Sequence, residues 1–218
     1  GLNHAYVSRR AAQLLDRDTD GLRIVSCHLG SGASLCAIDS GRSVDTTMGL
    51  TPLEGLVMST RAGSVDPGIL TWLLSEQKMG VDELVEGLER QSGLLGLSGV
   101  SGDLAEVLTA REDGNPDAAL AFEVYLHRLV GWIASMAAAM GGLDALVFTG
   151  GVGENSVPVR SEVGRRLGFL GIGVDESVNG TCSPDADVTE PGALVRTLVV
   201  AAREDLEVAR ETRAVLAR

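Results

Sequence analysis

The sequence predicts a mixed α/β fold in which a β-meander is followed by helices and then by alternating strands and helices. Three short β-prone runs separated by glycine turns indicate the meander. They cover residues 24–29, 34–38 and 43–47. A long alanine-rich stretch over 117–140 has the pattern of a helix, and two glycines at 141–142 end it. The apolar run 145–149 then indicates a buried strand.

The segment ahead of the meander is predicted to be an amphipathic helix over 5–15, because apolar residues recur there at helical spacing. A polar break separates it from the first strand. In the first hairpin, taking Ser31-Gly32 as the two turn residues sets Cys27 opposite Cys36 by ladder counting. We expect these two cysteine side chains to be neighbours and to be reduced.

The later part of the chain is predicted to be mainly helical. From helical spacing and capping signals, with Asp82 as an N-cap, helices are expected at 69–78, 82–91, 101–111, 159–167 and 204–216. The stretch 94–99 is predicted to be a loop or a short strand, and 194–200 a further strand. The glycine-rich stretch 150–155 is predicted to be a turn that leads into a helix. No internal repeat is visible, so one domain suffices.

The composition disfavours several classes of function. The 218 residues carry 30 acidic and 18 basic side chains, and the formal net charge of -12 disfavours nucleic acids and anionic membranes as partners. Only 3% of the residues are aromatic, which disfavours base-stacking platforms. The longest apolar stretch, 129–143, contains Ser135 and three glycines and is shorter than the roughly 20 residues of a bilayer-spanning helix. We therefore expect no transmembrane helix.

The three cysteines indicate neither a disulfide framework nor a zinc site. Cys27, Cys36 and Cys182 show no C-x-x-C spacing, and the pair Cys27-His28 has no second pair to complete a ligand set. This usage fits a reducing cytoplasm, which is the expected location.

Two glycine-rich segments could approach phosphate. The turn 28–34 lies between strands, where glycines let backbone N–H groups reach phosphate oxygens, although an ordinary hairpin is the alternative. The segment 148–155 lies at a strand-to-helix junction, where a helix N-terminus offers unpaired N–H groups and a positive dipole end. It contains neither G-x-G-x-x-G nor the G-K-[ST] ending of a P-loop, so neither mechanism applies.

Arg61 is a lone base among small residues in the stretch 60–67. Its planar guanidinium could bind phosphate through two hydrogen bonds. The alternative is an ion pair with Asp66 that fixes the loop.

Taken together, these motifs resemble the acetate and propionate kinase family, within the actin-like ATPase and sugar kinase superfamily. Six segments match in the same order: 1–10 (GLNHAYVSRR), 28–34 (HLGSGAS), 43–55 (SVDTTMGLTPLEG), 60–67 (TRAGSVDP), 100–104 (VSGDL) and 140–156 (MGGLDALVFTGGVGENS). The resemblance implies an actin-like ATPase (ribonuclease H-like) fold. It covers only the C-terminal half of the family's protein, so it implies that 1–218 is a single C-terminal nucleotide-binding domain and that the N-terminal domain is absent.

The resemblance also implies roles for individual residues. Arg61 would stabilise the transferring phosphoryl group, Glu204 would be the acidic catalytic residue that holds magnesium, and Pro52 would line the acyl pocket. The implied nucleotide contacts are the phosphate-cradling turn His28, Leu29, Gly30, Ser31 and Gly32, the nucleoside neighbours Asp103, Leu104 and Ala105, and the closing segment Gly151, Val152, Gly153, Glu154 and Asn155. Taken alone, Glu204 is equally a helix-start carboxylate, and Pro52 is simply part of a turn.

The implied activity is reversible phosphoryl transfer between ATP and acetate, giving ADP and acetyl phosphate, with ATP and Mg²⁺ as cofactors. A homodimer is expected, and the isolated chain is expected to be inactive because half of the family's protein is absent. Two alternatives stay open. One is a non-catalytic nucleotide-binding or dimerisation module, and the other is a propionate or butyrate kinase with a different acyl pocket.

The chain departs from the family pattern at three places. Ser31 stands where the family has Asn, so a hydroxyl replaces a side-chain amide. Ala105 stands where the family usually has Arg, which removes a planar cation that could stack on adenine. The family's GTSH is GLNH here, ending at His4. We therefore expect magnesium nucleotide to bind this chain weakly.

Overall fold

The computed structural model describes residues 1–217, and in that range it contains ten α-helices and six β-strands. The strands are β1 (Arg23–Leu29), β2 (Ala33–Asp39), β3 (Arg42–Thr46), β4 (Ala145–Thr149), β5 (Ala186–Asp187) and β6 (Arg196–Val199). The helices are α1 (Leu2–Leu14), α2 (Pro67–Ser75), α3 (Val81–Arg90), α4 (Gly93–Ser98), α5 (Leu104–Glu112), α6 (Pro116–Ala139), α7 (Gly150–Asn155), α8 (Val157–Arg166), α9 (Glu176–Asn179) and α10 (Glu204–Leu216). Within the described part of the chain, no helix has both the length and the apolar character that a membrane crossing requires.

The strands form one mixed sheet in the order β3-β2-β1-β4-β6-β5. β1, β4 and β6 run parallel to one another, whereas β3 pairs antiparallel with β2, and β5 with β6. The parallel register sets His28 beside Thr149 and Phe148 beside Val199. Because these three strands run in the same direction, their carboxyl ends lie side by side at one edge of the sheet.

A hydrophobic cluster joins α1 to one face of the sheet. It contains Val7, Ala11, Ala12, Leu22, Ile24, Cys36, Ile38, Ala145, Val147, Leu198 and Val200. β4 is buried along its whole length, as expected for a central parallel strand that is covered on both faces. Each fully buried Val, Leu or Ile side chain of this kind stabilises the fold by about 1.5–3 kcal/mol relative to exposure.

The predicted pairing of Cys27 with Cys36 is wrong by one residue. Three residues, not two, join β1 to β2, and at the far end of the hairpin the Ser40 N–H donates to the Leu22 carbonyl at 3.1 Å. Cys36 shares its cluster with Ile24. Cys27 lies an odd number of residues from Ile24 on the same strand, so it points to the opposite face of the sheet. Both cysteines are buried, and all three cysteines are free thiols.

The predicted order of elements is confirmed, and β4 and α10 begin and end where the sequence predicts. The predicted loop or strand at 94–99 is instead the helix α4, and the predicted turn at 150–155 is the helix α7. Asp82 is not the N-cap of α3, because Gly80 takes that position and Asp82 lies in the first turn. No sequence pattern indicated the short elements β5 and α9.

The chain divides into two compact units. The first unit contains most of the sheet and comprises Gly1–Leu29, Leu35–Thr46 and the chain from Ile133 onward. The second unit comprises Gly30–Ser34 and Thr47–Trp132 and contains α2, α3, α4 and α5. Two compact units do not by themselves make two domains, so the single nucleotide-binding domain stays a prediction.

His4, in the first turn of α1, is a buried titratable side chain. Only 7% of it is exposed, and its Nδ1 lies 2.9 Å from the Ser26 Oγ. Burial is the largest cause that lowers the His4 pKa from the ordinary 6.5 to about 3. The imidazole is therefore neutral in the folded chain at pH 7.

This burial predicts a loss of stability in acid. In the unfolded chain His4 gains a proton below its ordinary pKa of 6.5, whereas in the folded chain it does so only near 3. Between these values the unfolded state binds more protons, so stability falls as the pH falls, by at most about 1.4 kcal/mol per pH unit from this residue. Urea unfolding from about pH 7 down to about pH 4 measures the decline. His4→Asn should show a shallower decline, and equal slopes in the two chains would contradict the prediction.

Candidate functional site

The carboxyl ends of β1, β4 and β6 bring predicted site residues of the first unit together. His28 lies at the end of β1, and α7, which contains the predicted closing segment 151–155, follows β4 directly. Glu204 follows β6 after a short irregular segment and begins α10. Ligands of open α/β sheets bind outside the carboxyl ends of the strands, so this edge is the candidate site in the first unit.

His28 is half-buried at this edge. Its Nδ1 lies 2.7 Å from the Asn3 Nδ2, which also donates to the Thr149 Oγ1 at 3.2 Å. Burial is the largest influence and lowers the His28 pKa, whereas the negative charges of Glu204 and Glu154 act in the opposite direction. Both carboxylates therefore act on the same imidazole. A neutral imidazole that accepts at Nδ1 carries its proton on Nε2, where it can donate to a phosphate oxygen.

The glycine-rich segment after β4 is a short helix with its first amide already bonded. Gly150 has a φ of +80°, and a Cβ there would lie 2.8 Å from the Leu29 carbonyl oxygen, so glycine fits this position best. The Gly150 N–H donates to the Glu154 Oε1 at 2.9 Å, and the Asn155 Nδ2 donates to the Gly151 carbonyl at 2.8 Å. The expectation of unpaired N–H groups at this junction is therefore corrected for Gly150.

A buried arginine supports the C-terminal end of α7, and no sequence pattern pointed to it. Arg160 is 1% exposed, and its Nη1 donates to the carbonyls of Gly153 at 2.9 Å and Glu154 at 2.8 Å. Its Nε and Nη2 donate to the side-chain and main-chain oxygens of Asn179 at 2.6 Å and 3.1 Å. Burial lowers the Arg160 pKa. A cation at a helix C-terminus is favourable, and it fixes the last turn of α7.

Glu204 is exposed at the edge of the first unit. Within residues 1–217, no group of three or more His, Cys, Asp or Glu side chains could hold a metal ion by itself. Mg²⁺ does not need such a group, because it usually keeps several waters and binds one or two carboxylates together with substrate phosphates. The carboxylate of Glu204 therefore fits the predicted magnesium role.

In the second unit, the glycine-rich turn contacts the loop that carries Arg61, which we name the arginine loop (residues 58–62). The Gly30 N–H donates to the Gly32 carbonyl at 3.1 Å, and the Ser31 carbonyl accepts from the Ser59 N–H at 3.1 Å. A Cβ added to Gly32 would lie 3.3 Å from the Arg61 Nη1. The predicted phosphate-cradling turn and the predicted phosphoryl-stabilising side chain are therefore neighbours.

The Arg61 guanidinium has no acidic partner among the described residues. Its Nη1 lies 3.5 Å from the Pro52 carbonyl oxygen and 3.8 Å from the Met58 Sδ, and both contacts are weak. The alternative ion pair with Asp66 is not formed, because Asp66 is the N-cap of α2 and accepts from the Gly68 N–H at 2.9 Å. A half-buried guanidinium with only weak contacts is suited to bind an anion.

The start of α4 holds the arginine loop in place. Three amides donate to loop carbonyls at 2.9 Å: Ser92 to Thr60, Leu94 to Met58 and Leu95 to Ser59. Gly93 has a φ of +61°, and a Cβ there would lie 2.3 Å from the Met58 carbonyl oxygen. These bonds join segments far apart in the sequence, so local rules for helix starts do not reveal α4.

The predicted nucleoside neighbours lie at the start of α5. Asp103 is the N-cap of α5 and accepts from the Ala105 N–H at 2.8 Å, while Leu104 is buried and Ala105 is exposed. A Cβ added to Gly102 would lie 3.0 Å from the Ser59 carbonyl oxygen. The residues just before α5 therefore contact the arginine loop, and Asp103 and Leu104 also have capping and packing roles.

Comparisons with known proteins agree with one another. The profile of the Acetokinase family matches residues 1–210. The acetate kinase of Gloeobacter violaceus is 50% identical to this chain over 211 residues, which are 97% of this chain and 52% of that protein. The chain thus spans about half the length of the curated relatives it matches.

Two solved structures are similar to the chain. The crystal structure of Porphyromonas gingivalis acetate kinase has a TM-score of 0.95 and 42% identity, covering 99% of this chain and 54% of that one. A propionate kinase from Francisella tularensis subsp. tularensis has a TM-score of 0.90 and 38% identity, covering 97% and 53%. Acetate kinases have the actin-like ATPase fold, which confirms the predicted fold class.

Proposed function

The chain belongs to the acetokinase family, and from that membership we propose that it is the C-terminal, nucleotide-binding half of an acetate kinase. The whole protein would transfer a phosphoryl group reversibly between ATP and acetate, giving ADP and acetyl phosphate. The observation that carries the proposal is the guanidinium of Arg61, which lies against Gly32 of the glycine-rich turn and has no acidic partner within residues 1–217.

Arg61 would act on the transferring phosphoryl group. Phosphoryl transfer spreads negative charge over the equatorial oxygens, and a planar guanidinium can donate to two of them at once. The glycines at 30 and 32 let the backbone of the turn approach phosphate oxygens without interference from a Cβ. The arginine loop would keep the guanidinium in place because α4 binds three of its carbonyls.

In the first unit, Glu204 would hold Mg²⁺ through a carboxylate oxygen. The bound metal would neutralise part of the charge of the nucleotide phosphates. His28 would donate a hydrogen bond from its Nε2–H to a phosphate oxygen, because its Nδ1 accepts from the Asn3 amide and the ring proton is then on Nε2. The closing segment 151–155 would contact the nucleotide through the exposed Gly151 and Asn155.

The acyl substrate is proposed to be acetate, and Pro52 would line its pocket. Propionate or butyrate is the second candidate, favoured by the similarity to the Francisella propionate kinase. A non-catalytic nucleotide-binding or dimerisation module remains the alternative for the chain by itself. A cytoplasmic location and a homodimer stay predictions.

Joining the chain to the N-terminal half of the Gloeobacter violaceus acetate kinase tests the activity. We expect this hybrid to form acetyl hydroxamate from acetate, MgATP and hydroxylamine, and to use acetate faster than propionate or butyrate. The two halves of the Gloeobacter protein rejoined at the same position are the control. An inactive hybrid beside an active control would contradict the proposal. Faster use of propionate would favour the second candidate, and nucleotide binding without transfer would favour the non-catalytic module.

A further inference from the structure

One carboxylate oxygen joins two segments at the edge of the sheet. The Glu154 Oε1 accepts from the Gly150 N–H at 2.9 Å and from the Ala202 N–H at 2.9 Å. Gly150 begins α7 at the end of β4, and Ala202 lies between β6 and Glu204. The same oxygen therefore connects the chain that leaves β4 with the chain that leads from β6 to Glu204.

The segment that leads to Glu204 depends on side chains for its hydrogen bonds. Residues 200–203 form neither helix nor strand. Val200 is the last residue whose N–H donates to the neighbouring strand, at 2.9 Å from the Phe148 carbonyl. The next two amides donate to carboxylates: Ala201 to the Asp185 Oδ1 at 3.0 Å and Ala202 to the Glu154 Oε1. These two hydrogen bonds fix the segment, because residues 201 and 202 have no partner strand or helix to receive their amides.

The two carboxylates are themselves fixed. The Arg10 Nε donates to the Asp185 Oδ2 at 2.6 Å, so Asp185 is held from α1. Glu154 is held because its own helix supplies one of its two donors, the Gly150 N–H. Furthermore, Arg160 donates to the main-chain carbonyl of Glu154. The segment that leads to Glu204 is thus held from α1 and α7, although neither helix contains it.

We propose that Glu154 is a positioning residue, which fixes the segment presenting Glu204, and is not a ligand of nucleotide or metal. This inference rests on the proposed function, in which Glu204 holds the magnesium of the nucleotide. It changes the role that the family resemblance implies for Glu154. The charge of the side chain is secondary, because both amides donate to a single oxygen that an uncharged side chain can also supply.

Two substitutions separate positioning from charge. Glu154→Gln keeps a carbonyl oxygen that can accept from both amides and removes the negative charge. Glu154→Ala removes the acceptor. A positioning residue tolerates the first change and not the second, whereas a metal ligand is impaired by both. Glu162→Ala is the matched control, because Glu162 is in the same unit and its partners are Arg165 and Arg166.

Three measurements on the 218-residue chain test the proposal: hydrogen exchange of the Ala202 and Gly150 amides, the magnesium concentration that half-saturates ATP binding, and thermal unfolding. We expect the parental chain to bind MgATP weakly. In Glu154→Ala, hydrogen exchange of the Ala202 amide should accelerate about tenfold, as for the loss of one net hydrogen bond. The magnesium concentration that half-saturates ATP binding should also rise about tenfold. Glu154→Gln should stay within about threefold of the parental values.

The magnesium dependence is the measurement that a merely stabilising residue would not alter, and Glu162→Ala should leave it unchanged. Equal losses in Glu154→Gln and Glu154→Ala would overturn the proposal and indicate a ligand role. Parental exchange at Ala202 in Glu154→Ala would overturn it as well. If the parental chain binds no ATP, the proposed function fails separately, and the exchange of Ala202 alone then decides whether Glu154 positions the Glu204 segment.

Discussion

Replacing Arg61 by alanine should lower the rate of acyl phosphate formation by about 100-fold to 1000-fold and leave most of the ATP affinity intact, by analogy with the loss of an oxyanion-hole donor. The charge of the transferring group is most widely spread in the transition state. A guanidinium aimed at that group therefore stabilises the transition state more than the bound substrate. The neighbours of Arg61 are the Pro52 carbonyl and the Met58 sulfur, and neither neutralises its charge.

The rate comparison uses the hybrid with the Gloeobacter N-terminal half, in which kcat and the KM for ATP are measured by hydroxamate formation. Arg90→Ala is the matched control, since Arg90 is an exposed arginine of the same unit that pairs with Glu86 on α3. It should retain the parental kcat. Near-parental kcat in Arg61→Ala would contradict the assigned role. An unfolded Arg61→Ala would show instead that the residue mainly supports the arginine loop.

Replacing Arg160 by methionine should lower the free energy of unfolding by about 3–5 kcal/mol. The change keeps much of the side-chain volume but removes every donor. The carbonyls of Gly153 and Glu154 and both oxygens of Asn179 would then be buried without their present partner. Each unsatisfied buried acceptor costs about 1–3 kcal/mol. Methionine also removes the cost of burying a cation, but this gain offsets only part of the loss from the four acceptors.

Urea unfolding of the chain measures the effect of Arg160→Met, provided the transition is two-state. Arg165→Met is the control on the same helix, because Arg165 is exposed and pairs with Glu162, so it should cost at most about 1 kcal/mol. Arg160→Lys should recover little, since an ammonium group cannot reproduce the flat fork of donors. A loss below about 1 kcal/mol in Arg160→Met would show that the buried bonds are replaced by other contacts.

Elements whose signals are local in the sequence could be predicted. β4 is a continuous apolar run followed by glycines, and α10 begins with three acidic residues in its first turn, so both have clear ends. α4 could not be predicted, because its first amides bind carbonyls of the arginine loop and its start needs the left-handed Gly93. The predicted hairpin register was wrong because the turn has three residues and not two. One extra turn residue moves every side chain of the second strand to the other face.

Candidate site residues could be named from the chemistry of the sequence, and their roles stay predictions. The structure places His28 near the carboxyl end of β1, Glu204 shortly after β6, and Arg61 beside Gly32. Asn3 and Arg160 could not be found, because a polar residue in an amphipathic helix usually faces solvent. Their burial depends on packing between elements that are distant in the sequence, and so does the second hydrogen bond of Glu154.

The opposite orientation of Cys27 and Cys36 has a practical consequence for chemistry at sulfur. Burial raises the pKa of both thiols, so they are protonated and shielded, whereas Cys182 is half-exposed. An alkylating reagent should therefore react with the half-exposed Cys182 first, and with Cys27 and Cys36 only after local opening uncovers them. Because Cys27 and Cys36 lie on opposite faces, the rate at which each is alkylated reports how often its own face of the sheet is uncovered. The native cysteines therefore measure local opening without any introduced label.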